Sequence, residues 1–221
     1  MPLWNIIGPV MIGPSSSHTA GAVRLSRLVR MCWGSDIKKA DIYMRGSFAS
    51  TGYGHGTDKA ILAGLLGYKQ DDPAVRSGIE LARKAGMDFH FHEEEVDGAR
   101  ANSVRFVISG VGRKMEAVGA SLGGGAVILN ELDGFQVDLS GLLPTIIIMN
   151  HDVHGVVSAV TSFLSQRGIN IASMKLHRDT CGGLATMVLE LDSAESLDTL
   201  KEIKGVHPAI VRAIVLEGDA D

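Results

Sequence analysis

Downstream of Pro144 the hydrophobic pattern switches between a period of about 2 and one of about 3.6 in a fixed order, and no other feature narrows the fold so far. An apolar strand from Thr145 to Asn150 leads through His151-Asp152-Val153-His154-Gly155 into a helix carrying Val156, Val157, Val160, Phe163 and Leu164 at core spacing. Gly168-Ile169-Asn170-Ile171 opens a strand that runs to His177. The Cys181-Gly182-Gly183 turn then returns the chain into a strand from Leu184 to Leu191. A helix from Ser196 to Ile203 and a strand from Ala209 to Leu216 complete the order βαββαβ, the ferredoxin-like split unit.

Upstream the elements alternate differently. Apolar periodicity from Ala22 to Trp33 predicts a helix, and Ile37 to Met44 a strand. A second helix spans Thr57 to Leu66, with Leu62, Leu65 and Leu66 on one side, Thr57 as its cap and Asp58 at its positive end. Asp72-Pro73 reads as a helix entry with Val75, Ile79 and Leu81 as the buried stripe. After Gly86 come strands at Asp88 to Val96, Val104 to Ser109, Lys114 to Ser121, Ala126 to Glu131 and Phe135 to Leu139. Gly123-Gly124-Gly125 interrupts them as a bulge or hairpin turn. The whole is an α+β architecture, and its 221 residues suffice for two domains, 1–141 and 142–221.

The run Gly13-Pro14-Ser15-Ser16-Ser17-His18-Thr19-Ala20-Gly21 places four hydroxyls and an imidazole in one turn ahead of the first helix. Hydroxyls, free backbone N–H groups and the positive end of a helix together suit a carboxylate or phosphate, and His18 adds a proton donor or acceptor. On the pattern alone a serine-rich helix cap accounts for the run equally well.

Other classes are excluded by what is missing. A formal net charge of −4 and no Lys or Arg cluster leave no footprint for nucleic acid. The most apolar run, Leu142 to Met149, is far short of the roughly 20 residues that cross a bilayer. The chain therefore reads as cytoplasmic. Cys32 and Cys181 are the only cysteines, too few for a disulfide framework and too far apart for a metal-binding pair. His90 and His92 share one face of a strand without a third ligand, so that face is read as solvated.

The Ser15 to Thr19 stretch resembles the signature of the beta chain of bacterial iron–sulfur L-serine dehydratases. Gly54-His55-Gly56-Thr57-Asp58-Lys59-Ala60, followed by Gly64-Leu65-Leu66-Gly67, is similar to that family's second recurrent block. Where the family often carries His-Pro-Asn, this chain reads Arg100-Ala101-Asn102. The resemblance implies deamination of L-serine to pyruvate and ammonia, with Ser15, Ser16, Ser17 and Thr19 gripping the substrate carboxylate and His18 assisting or moving a proton. His55 and Asp58 are implied as supporting residues. A 4Fe–4S cluster needs three or four thiolates, which two cysteines cannot supply. The resemblance therefore implies a separate alpha subunit that ligates the cluster, while this chain forms one wall of the site.

The C-terminal segment resembles an ACT domain, the small amino-acid-sensing module. Such domains commonly carry Asp-x-Pro-Gly where this chain has Asp152-Val153-His154-Gly155. The resemblance implies either an amino-acid effector bound by Asp152, His154 and Gly155, or side-by-side pairing into a homodimer. The N-terminal region is also similar to the allosteric substrate-binding domain of some 3-phosphoglycerate dehydrogenases. That second likeness implies an alternative, a non-catalytic regulatory protein that binds amino acids or anions.

Overall fold

Along strand β1 (Lys39–Gly46), Ala40, Ile42 and Met44 alternate with Asp41, Tyr43 and Arg45, and only the first set is fully buried. Their partners on β3 (Asn102–Gly110) are Ile108, Phe106 and Val104, also without solvent contact. This apolar face continues onto β4 (Arg113–Gly123) through Met115 and Ala117, and onto β5 (Ala126–Leu132) through Leu129 and Leu132. Within this unit neighbouring strands run β2-β1-β3-β4-β5, with β2 (Asp88–Glu93) parallel to β1 and the pairings β1–β3, β3–β4 and β4–β5 antiparallel. The structure is a computed structural model describing residues 10–193 and 202–218.

A parallel pair needs a crossover. Between β1 and β2 it consists of α2 (Ser47–Thr51), α3 (Thr57–Leu65) and α4 (Gly78–Lys84), with short 3-10 turns at Tyr53–His55 and Pro73–Ser77. Helix α1 (Ala22–Trp33) turns Leu25, Leu28, Val29 and Trp33 inward. It packs directly on α3. A Cβ at Gly64 would stand 2.1 Å from Ser26 Oγ and 2.3 Å from the Val23 carbonyl, so only glycine permits this helix spacing.

Several boundaries differ from the sequence reading. Thr57 does not cap α3. The cap is Gly56, without a side-chain bond, and Thr57 is the first helical residue, buried with its hydroxyl unpartnered. After Pro73 the chain forms a 3-10 turn before α4, and Val75, Gly78 and Ala82 are buried, whereas Ile79 and Leu81 are half-buried. Strand β2 ends at Glu93, short of the expected Val96, and the next side chain, Glu94, is held by two guanidiniums: Arg45 Nη2 at 2.7 Å and Arg105 Nη2 at 2.7 Å. Arg105 also lies over the Tyr43 ring at 3.8 Å. Gly123 to Gly125 form the β4–β5 turn with a register shift, as expected.

Residues Met1–Gly134 form one compact unit and Phe135–Asp221 a second, which places β6 (Phe135–Leu139), read from sequence as the end of the first domain, with the second unit. Here the strands β7 (Thr145–His151), β8 (Ile171–Arg178), β9 (Leu184–Leu191) and β10 (Ile210–Leu216) form an antiparallel sheet in the order β10-β7-β9-β8. That is the strand order expected of a ferredoxin-like βαββαβ unit. Helix α5 (Val156–Ser165) covers one face, packing Val156, Val160 and Leu164 against Ile146, Ile148 and Leu189. The expected helix from Ser196 lies outside the described residues up to 201, and Glu202–Gly205 is a 3-10 turn. Among the described residues no helix is long and apolar enough to cross a membrane.

Lys175 Nζ donates to the Asp138 carbonyl at 2.6 Å, and Ser140 Oγ donates to Glu190 at 3.3 Å, so the stretch from Phe135 is tied to the second sheet. We expect a fragment starting at Phe135 to fold cooperatively, with a single thermal transition by circular dichroism; an unfolded fragment would misplace this boundary. The Arg105 and Arg45 hydrogen bonds hold the Glu94 carboxyl below its ordinary range. A depressed folded-state pKa contributes stability that is present above the unfolded glutamate value and lost as pH falls through the folded one. Glu94→Gln should therefore cost about 1–2 kcal/mol at neutral pH, and much less in acid, in paired denaturant titrations.

Candidate functional site

Ser15 has an extended backbone and ends the approach from Pro14. Its hydroxyl accepts from His18 N at 3.0 Å, and its carbonyl accepts from both Thr19 N at 3.0 Å and Ala20 N at 3.3 Å. The result is a widened π-helical turn over Ser16–Gly21 that runs directly into α1. Such turns recur at functional positions because they push side chains out of the regular helical ladder. Ser15 is therefore the capping hydroxyl, while the half-buried Ser16 and Ser17 hydroxyls have no intramolecular partner among the described residues.

His18 faces the end of β1. Gly46 there has φ 57° and ψ −130°, and a Cβ on it would lie 2.4 Å from the Ala101 carbonyl. This turn lets Ser47 N donate to Ala101 O at 2.6 Å and starts α2 beside the imidazole. His18 Nε2 lies 3.2 Å from Thr51 Oγ1, 3.3 Å from Ser47 Oγ and 3.4 Å from the Ser47 carbonyl. Ser47 Oγ donates in turn to Asn102 Oδ1. The edge of Phe48 closes the ring's other side, with centroids 5.2 Å apart.

The second sequence block reaches the same place. The His55 ring lies 4.9 Å from that of His18, centroid to centroid, with His55 Nδ1 3.0 Å from the Thr51 carbonyl. Thr19 is buried and its hydroxyl donates to the His55 carbonyl at 3.2 Å, tying the π turn to the loop before α3. Thr19 and His55 border a cavity of about 680 Å³ that Lys59 and Arg76 also line. Neither cation has an ion-pair partner among the described residues, so the cavity carries uncompensated positive charge suited to an anionic group. Asp58, in the first turn of α3, makes no capping bond, and its Oδ1 is buried without a hydrogen-bond partner.

In the second unit the Asp152 to Gly155 loop joins β7 to α5 through Gly155 in the left-handed region. The Asp152 carboxylate is already engaged, by Gly182 N at 3.2 Å and Arg178 Nη1 at 3.2 Å, which hold its pKa below the usual range. A ligand ammonium would compete with both. His154 and Gly155 are exposed.

The sequence reading did not single out Ser47, Thr51, Lys59 or Arg76, and it left the Asn102 loop without a role. Ser47 and Thr51 sit in a five-residue helix with no period of its own, and only the Gly46 turn brings them to His18. Two surface cations carry no signal until a cavity is seen between them.

The chain matches the serine dehydratase beta chain family over residues 7–84 and the ACT domain family over residues 145–208. It is 40% identical over 190 residues to a probable L-serine dehydratase beta chain of Bacillus subtilis, spanning 86% of each chain. It is 33% identical over 206 residues to an L-serine dehydratase beta chain of Peptoniphilus asaccharolyticus, covering 92% of this chain and 93% of that one. A D-3-phosphoglycerate dehydrogenase of Methanocaldococcus jannaschii is 27% identical over 213 residues, with 90% of this chain matched to 38% of that protein. With 40% and 33% identity sustained over most of its length, the chain belongs to the L-serine dehydratase beta chain family and carries an ACT domain toward its C-terminus.

Proposed function

We propose that this chain supplies the substrate-holding wall of an L-serine dehydratase whose active site is completed by a second subunit. The observation that carries the proposal is the convergence of both sequence blocks: His18, Thr19 and His55 meet beside a cationic cavity. The overall reaction removes the Cα proton and the β-hydroxyl of L-serine as water. Water then returns to the resulting enamine, by way of its imine, to give pyruvate and ammonia. Ser16 and Ser17, with unspent hydroxyls, bind the substrate carboxylate, and Ser15 shapes the turn that presents them. His18 holds or moves a proton, and the neighbouring His55 shares that polar wall. Asp58 sits in the first turn of α3, where its charge meets the helix's positive end, and supports the site from there.

This chain's residues do not fit an iron–sulfur cubane. Cys32 is buried within α1, Cys181 is exposed in the other unit, and two thiols fall short of the three or four ligands required. We therefore assign the 4Fe–4S cluster to the alpha subunit. The ACT domain serves regulation or assembly. Strand β8 is an edge strand with Met174 39% and Leu176 49% exposed, apolar surface that pairing with a second copy would cover. The loop Asp152 to Gly155 takes an amino-acid effector only by displacing Arg178.

A second reading, an amino-acid- or anion-binding regulator without turnover, is favoured by the similarity to D-3-phosphoglycerate dehydrogenase over 90% of the chain. Variants separate the two. In the assembled enzyme, His18→Ala should lower serine turnover by about 10²–10³, the range for loss of a proton-transfer group, and Ser16→Ala should also lower it. Thermal midpoints should stay close to wild type, because neither side chain is core. Serine turnover that survives both substitutions, with anion binding lost, would favour the regulator.

A further inference from the structure

We propose that Nδ1 is the His18 atom that exchanges a proton with the substrate, and that Ser47, Thr51 and Asn102 are positioning residues that fix this choice. The inference rests on the reading of His18 as a substrate-facing residue. A neutral imidazole carries one proton, and the nitrogen bearing it is set by the partners of the other.

A hydroxyl has one proton to give. Thr51 spends its own on the Ser47 carbonyl at 2.8 Å, so Thr51 Oγ1 presents only lone pairs to His18 at 3.2 Å. Ser47 spends its own on Asn102 Oδ1, an atom that can only accept, and likewise presents lone pairs at 3.3 Å. The third neighbour, the Ser47 carbonyl at 3.4 Å, has no proton at all. Nε2 thus faces three acceptors and must carry the hydrogen. A bare Nε2 would set its lone pair against all of theirs. Nδ1 then keeps an unprotonated lone pair, and it has no hydrogen-bond partner among the described residues.

His55 takes the opposite form. Its Nδ1 lies 3.0 Å from the Thr51 carbonyl, an obligate acceptor, so Nδ1 is protonated and Nε2 is bare. Helix α2 therefore sets both rings, through Ser47 and Thr51 on His18 and through the Thr51 carbonyl on His55. Its own placement depends on Gly46, and Asn102 sits directly across from Gly46 in the β1–β3 register. This gives Asn102 a task that touches no substrate: it takes up the Ser47 proton that could otherwise be offered to Nε2.

Long-range ¹H–¹⁵N correlation spectra of the ¹⁵N-histidine-labelled full chain, recorded above the histidine pKa range, test this without any partner subunit. His18→Gln and His55→Gln identify the two ring systems by loss of signal. The expected result is His18 in the Nε2–H form and His55 in the Nδ1–H form within one spectrum. The double variant Ser47→Ala/Thr51→Val removes two acceptors and should erase most of the His18 preference. In the assembled enzyme it should lower kcat about tenfold with KM nearly unchanged. Asn102→Asp, which keeps the acceptor, should retain the tautomer that Asn102→Leu weakens. His18 found with Nδ1–H dominant, or a tautomer unmoved by the double variant, overturns the inference. Full turnover by His18→Ala would instead remove the functional reading while leaving the tautomer assignment standing.

Discussion

The candidate site depends on one backbone turn, Gly46, where β1 stops being a strand. Its φ of 57° and the 2.4 Å that would separate a Cβ from the Ala101 carbonyl leave room for glycine alone. Any side chain there would push β1 away from the Ala101-Asn102 segment. That displacement would carry Ser47 off Asn102 and both Ser47 and Thr51 off His18. Upstream of the turn, the Glu94 carboxylate fastens Arg45 to Arg105, so the ends of β1 and β3 are held in register where the turn begins. The ion cluster and the glycine work on the same few residues. One supplies rigidity and the other the direction of the chain.

From that point the architecture explains why two distant sequence blocks meet. The π turn before α1 and the loop before α3 approach because the two helices pack at glycine spacing, and Thr19 closes the gap with a hydrogen bond to the His55 carbonyl. Polar atoms gathered this way would be costly in a sealed interior. Here Thr19 and His55 border a cavity rather than a sealed core. Lys59 and Arg76 line that cavity, and the nearby Ser16 and Ser17 hydroxyls have no intramolecular partner among the described residues.

Much of this was legible in the residues. Helix α1 and strand β6 follow from apolar spacing, because their buried faces repeat, and β9 follows from a nearly continuous apolar run that is buried along most of its length; of the βαββαβ order the four strands and the first helix are seen, and the second helix lies outside the described residues up to 201. The Ser15 to Thr19 run read equally as an anion site or a helix cap, and the division within it did not show: Ser15 caps, while the Ser16 and Ser17 hydroxyls have no intramolecular partner among the described residues. Thr57 looked like a cap because threonine so often is one, yet the left-handed Gly56 took that place and drew Thr57 inside. Asn102, in a loop that departs from the family pattern, earned its role only from three-dimensional proximity to Ser47. Short helices such as α2 have too few turns to declare a buried face, and hydrogen-bond direction is a property of neighbours rather than of sequence.

The most direct test of the half-site assignment is pyruvate formation from L-serine, with iron determined in parallel, for the purified chain alone and after anaerobic addition of the alpha subunit. A chain that only holds substrate, with one buried and one exposed cysteine in separate units, should contain no iron and make no pyruvate until the partner is added. Activity should then appear and be lost in air. Pyruvate made from serine by the lone, iron-free chain would contradict the assignment.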